Sequence, residues 1–122
     1  MTKDDLQIVA FEIILHSGEA RTMIHEGLDL MREGKLREAE KKIEDSNKEL
    51  LEAHKSQTSL LNNYANGDEI VMEIIMVHAQ DHLMTTMTLR ETSLELLNMY
   101  KQFNELKQEF MELKQIGEVC NV

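Results

Sequence analysis

The chain is 122 residues long, 42% hydrophobic and 30% charged, which suits one folded domain with a modest core and excludes a disordered or membrane-built chain. Its net charge of −10 argues against nucleic acid as a partner, because gripping a phosphate backbone takes a basic stripe. No apolar run approaches a bilayer span, "MTKDDLQIVAFEIIL" lacks the basic start and cleavage site of a secretion leader, and the single cysteine, Cys120, closes no internal disulfide. A cytoplasmic protein without membrane insertion is expected.

Proline is absent and glycine occurs five times, so the chain has few places to turn and long helices are expected. The first is predicted from about Lys3 to about Arg32, along the apolar row Leu6, Val9, Ile13, Ala20, Ile24, Leu28 and Met31. Ser17 and Gly18 interrupt that row, which predicts a kink or a close approach there. "REGKL", around Gly34, reads as a tight helix–helix turn. The second helix is then an antiparallel neighbour from about Leu36 to about Tyr64, along Leu36, Ala39, Ile43, Leu50, Ala53 and Leu60. "NNYANGDE" is the strongest turn signal: Asn66-Gly67 supplies left-handed geometry and Asp68 is placed to cap a third helix. That helix is predicted to start near Glu69 and run unbroken to about Ile116. No alternating β-branched run lies between turn clusters, so the expected fold is all-α, an antiparallel up-down-up three-helix bundle.

The third helix carries an anomaly. Between Ile70 and Leu89 one row is Ile70, Ile74, Val77, Asp81 and Met84, a second is Val71, Ile75, His78, His82 and Leu89, and a third is Met72, Met76, Ala79, Leu83 and Met87. Apolar residues occupy nearly the whole circumference, the pattern of a helix buried on all sides. Three helices of one chain cannot wrap one of their own members completely, so other copies must supply the cover and a homo-oligomer is inferred. Methionine tolerates both core and surface and contributes part of this pattern.

Within this helix, "MVHAQDHLM" places polar groups where apolar ones are expected. His78 and His82 lie one turn apart on one side, with Asp81 about 60° round from His78. A histidine pair at this spacing can bind a divalent metal, but no third ligand is evident, and two core-edge histidines satisfied by hydrogen bonds fit equally well. Asp81 replaces one member of an apolar row, and a lone buried carboxylate is costly without a cation. On an oligomer axis several copies of Asp81 would converge and repel unless a cation neutralised them; the other reading is a wet groove. Gln80 reads as surface. His54 and Gln57 lie near the second helix's apolar row, at a level where they could orient His78. His16 and His25 fall in no usable arrangement, and "KLREAEKKIEDSNKE" reads as a solvated face.

The segment "MVHAQDHLMTTMTLRE" resembles the signature of the enzyme IIA component of the lactose/cellobiose-type sugar phosphotransferase system, with further similarity in "FEIILHSGEAR" and "LLEAHKSQT". The resemblance implies a homotrimer of three-helix subunits that relays phosphoryl groups during disaccharide uptake. It implies that His78 accepts phosphate, at Nε2, from the histidine-containing phosphocarrier protein and passes it to a cysteine of the sugar-specific enzyme IIB. It also implies that Asp81 binds a metal ion on the trimer axis, taken as Mg2+, one per trimer. His82, one turn along, is placed by its spacing to donate a hydrogen bond to the phosphate, beside an equally good packing role. "HAQDH" leans toward the cellobiose or diacetylchitobiose branch over lactose.

The tail departs from the family pattern. The phosphocarrier domain is expected at 1–103, and 104–122 is expected to be a helical extension, since Tyr100, Phe103, Leu106, Phe110 and Leu113 continue the helical period. Two rival readings stand beside the phosphocarrier. An oligomeric helical adaptor would need no such polar cluster, and a metal-dependent hydrolase using His78, Asp81 and His82 would need more ligands.

Overall fold

The computed structural model describes residues 1–120, the side chains of 119 and 120 aside; Asn121, Val122 and the Cys120 thiol, all within the predicted extension, lie outside the described residues. Three helices form, α1 (Lys3–Arg32), α2 (Leu36–Ala65) and α3 (Ile74–Cys120), and no strand occurs among the described residues. Thr2 opens α1 with a reciprocal cap: its Oγ1 accepts from the Asp5 N–H at 3.1 Å and its own N–H donates to Asp5 Oδ2 at 3.0 Å. These bonds satisfy donors that a helix start leaves orphaned. The bond from the Thr2 backbone, reinforced by the hydroxyl, holds the Asp5 carboxyl below its ordinary value.

Both turns use glycine at positive φ, +81° at Gly34 and +95° at Gly67, a conformation that costs other residues a clash at Cβ. Gly34 N–H donates to Met31 O and Lys35 N–H to Leu30 O, so α2 follows almost at once. The second turn is longer than the sequence suggests. α3 starts at Ile74 rather than near Glu69, and Glu73 O, not Asp68, accepts the first helical N–H groups, from Met76 and Val77. Ile70 is half-buried against the core, while the Glu73 carboxylate meets Lys3 Nζ at 3.6 Å and Gln7 Nε2 at 3.4 Å. The segment before Ile74 is therefore held across the end of the bundle instead of joining the helix.

All three helices pack on one another. Between α1 and α2 the polar pairs are Glu26–Lys42 at 2.7 Å, His16–Glu49 at 2.6 Å and Glu12–Ser56 at 3.4 Å. Arg90 Nε donates to Ile43 O at 3.3 Å, and Lys101 meets Glu40 at 3.1 Å, which ties α3 to α2. The core is built largely from small and branched side chains: Ala10, Ile13, Ala20 and Ile24 of α1, Ala39, Ile43 and Ala53 of α2, and Ala79 and Leu83 of α3 are all fully buried. Small side chains let helix axes approach, and the close approach falls at Gly27 rather than Gly18. A Cβ on Gly27 would lie 3.0 Å from Ile43 Cγ1, whereas one on Gly18 would meet nothing within 4 Å, and α1 runs through Gly18 as continuous helix. Beyond Asn104 every described side chain of α3 is exposed.

Candidate functional site

Only one face of α3 is covered by its own chain. Met76, Ala79 and Leu83 are buried, and Thr86 and Leu97 continue that face. The row carrying Asp81 is left open: Ile74 is 89% exposed, Val77 56% and Met84 51%. One chain leaves much of the apolar circumference of α3 uncovered, as expected of three helices that cannot wrap one of their own members completely. Asp81 itself is exposed, and no cationic side chain pairs with it among the described residues. Arg90, the nearest cation along the helix, is engaged with the Ile43 carbonyl of α2.

His78 lies on the second turn of α3 and is exposed, so its ring is open to an approaching protein; His82, one turn on, is half-buried. The two rings meet edge to face, with centroids 6.0 Å apart and planes at 80°. The fully buried Thr86 hydroxyl lies 3.4 Å from His82 Nδ1. That contact takes up the Nδ1 side of the ring and leaves Nε2 without a hydrogen-bond partner among the described residues; the ring proton sits on Nε2 when the hydroxyl is the donor. Gln80, read from sequence as surface, is half-buried.

His54 and Gln57 are not brought into hydrogen bonds with His78 among the described residues. The His54 ring lies 3.4 Å from Thr58 Oγ1 on its own helix, and Gln57 Oε1 is buried with no partner. His54 instead lines a groove of about 230 Å³ between α2 and α3, with Leu50, Met87 and Arg90.

His16, which formed no usable arrangement in the sequence, pairs with Glu49 across α1 and α2, and Glu19 joins them so that ligand atoms of all three fall within 4.8 Å. The i,i+3 spacing of His16 and Glu19 was readable; their meeting with a residue 33 positions on was not. Asp81 is no part of such a group, and no third ligand converges on the two histidines among the described residues. One chain therefore offers a cation at Asp81 a single carboxylate. The donor is of the oxygen type that Mg2+ takes, an ion that keeps several waters, and a complete site would need oxygens from outside this one chain.

Residues 8–101 match the family described as the lactose/cellobiose-specific IIA subunit of the PTS system. The lactose-specific EIIA component of Staphylococcus epidermidis is 38% identical over 102 residues, covering 84% of this chain and 98% of that protein. The crystal structure of PtcA from S. mutans superposes with a TM-score of 0.82 at 59% identity, over 83% of this chain and 99% of that one. An Escherichia coli relative, solved in solution as the IIA(Chitobiose)–HPr complex of the N,N'-diacetylchitobiose branch, gives a TM-score of 0.67 at 31% identity, over 81% and 96%.

Proposed function

Because the chain belongs to the lactose/cellobiose-specific IIA family of the phosphotransferase system, we propose that it is a phosphocarrier whose acceptor is His78. The observation that carries this reading is the placement of His78: exposed on α3, edge to face with His82 and one turn from the open row around Asp81. A neutral imidazole is a good nucleophile toward phosphorus and forms an N–P bond labile enough to pass the group on. In the first step His78 Nε2 attacks the phosphoryl group on the histidine-containing phosphocarrier protein (HPr), and the donor N–P bond breaks. In the second a cysteine thiolate of enzyme IIB attacks the same phosphorus, the His78 N–P bond breaks, and His78, which has kept its Nδ1 proton, leaves as neutral imidazole. The protein's part is position and charge stabilisation. His82, held at Nδ1 by Thr86, has Nε2–H available to donate to a phosphate oxygen.

The same proposal includes a homotrimer. The contact register supports an up-down-up bundle, and Ile74, Val77 and Met84 then pack on the threefold axis, each burial contributing about 1.5–3 kcal/mol. Three Asp81 carboxylates meet there and would hold one Mg2+, which supplies the charge neutralisation they lack. Residues 1–103 form the carrier domain and 104–122 an extension, in a cytoplasmic protein that serves uptake of a disaccharide of the cellobiose, diacetylchitobiose or lactose class.

The test is phosphorylation with phosphoenolpyruvate and the two general phosphotransferase proteins. Wild type takes one acid-labile, base-stable phosphate per chain, His78→Gln takes none, and His82→Gln is still phosphorylated, more slowly. Glutamine preserves length and hydrogen bonding, but its amide nitrogen has no free lone pair. Phosphate retained on His78→Gln refutes the mechanism.

A further inference from the structure

Among the described residues Lys101 makes the last ion pair with the bundle, and beyond Asn104, where every described side chain is exposed, α3 continues without its own chain's other helices. A helix in a protein draws most of its stability from packing an apolar face, and this one carries such a face uncovered. Leu96, Met99, Phe103, Leu106, Phe110 and Leu113 follow one another at spacings of three and four residues, and all are exposed, from 37% at Leu96 to 67% at Leu113. That is the seam of a coiled coil, with Leu96, Phe103 and Phe110 at one core position of the heptad and Met99, Leu106 and Leu113 at the other.

Charge flanking the seam selects its partner. The residues that follow the second core position are Tyr100, Lys107 and Lys114; those that precede the first are Glu95, Gln102 and Glu109. In a parallel coil each preceding-side residue faces the following-side residue of the next heptad on its neighbour. Glu109 then meets Lys114, and Gln102 meets Lys107. In an antiparallel coil Lys107 and Lys114 would face lysines, and Glu95 and Glu109 would face glutamates. The sequence of one chain therefore complements parallel copies of itself.

The seam also lines up with the open row upstream. Leu96 lies 22 residues after Ile74, about six helical turns, so both stripes occupy the same side of α3. Copies that bury Ile74, Val77 and Met84 on a common axis bring their tails together as well.

We infer that residues 96–116 of three copies form a parallel, in-register coiled coil that prolongs the trimer axis beyond the carrier domain; the number three rests on the trimer proposed above. The experiment uses the full chain with Cys120→Ser, carrying Leu106→Cys, Leu113→Cys or, on the outward side, Gln108→Cys, treated with a short bismaleimide, while light scattering on the same samples reads the mass. A trimer in which positions 106 and 113 each link like to like, and 108 does not, supports the inference. A trimer with no link at 106 and 113 overturns it and leaves the carrier trimer standing, with the seam free for a different protein. Linking at only one of the two positions overturns the parallel register, and an assembly mass of two chains by light scattering overturns the count of three; the covalent product is a linked pair in either case, because each chain carries one thiol. A monomer overturns both readings.

Discussion

Gly27 should be the glycine that this fold cannot exchange, and Gly18 the one it can. Alanine in place of a helix-interior glycine gains about 1 kcal/mol of helix propensity. At Gly18 nothing lies within 4 Å of the new Cβ, so Gly18→Ala should stabilise each chain by about 0.5–1 kcal/mol. At Gly27 the Cβ meets Ile43 Cγ1 at 3.0 Å, Ala39 O at 3.3 Å and Ile43 Cδ1 at 3.4 Å. Neither neighbour can yield cheaply. Ala39 O is backbone, and Ile43 is fully buried with its carbonyl taking bonds from Ser46 Oγ at 2.5 Å and Arg90 Nε at 3.3 Å. Overpacking of this kind costs about 1–3 kcal/mol, which offsets the propensity gain and leaves Gly27→Ala up to about 2 kcal/mol less stable than wild type. Urea unfolding followed by circular dichroism, at one fixed protein concentration because assembly shifts apparent stability, measures both variants. Equal midpoints for Gly18→Ala and Gly27→Ala would refute the close approach of α1 and α2 as the reason for glycine at 27.

Asp81→Leu should abolish Mg2+ binding measured by calorimetry while the trimer persists, since replacing converging carboxylates by apolar volume is commonly neutral or stabilising; loss of the trimer in this variant, or no metal in the wild type, counts against the axial site. Removing residues 104–122 should leave trimerisation and phosphorylation of His78 intact but raise the concentration at which the trimer dissociates in sedimentation. A truncated chain that cannot assemble would place the tail within the essential interface.

Three helices and their approximate ends were legible because helical periodicity and two glycine turns are local signals, and the family was legible through the resemblance of the segment around His78. The start of α3 was not. "NGDEI" looks like cap and helix by propensity, yet Lys3 and Gln7, more than sixty positions away in sequence, hold Glu73, and tertiary contacts override a local preference of this size. Gly18 invited a kink because an interior glycine is weak by composition; the close approach sits at Gly27, where the reason is Ile43 on another helix. The polar cluster around His78 stood out because it breaks an apolar pattern. Its anchoring by Thr86 is i,i+4 and could have been read from the sequence. The His16–Glu49 pair could not, since it depends on the register of α1 against α2.

The 47 residues of α3 extend about 70 Å at 1.5 Å per residue, against about 45 Å for each 30-residue partner helix. His78 sits near one end of that rod and Glu118 near the other, about 60 Å away. A protein docked over the histidine cannot touch the far tip of the same chain. A dye placed at that tip would report how the molecule tumbles and not what docks at the other end, and a surface tether there would leave the exposed His78 open to an approaching protein.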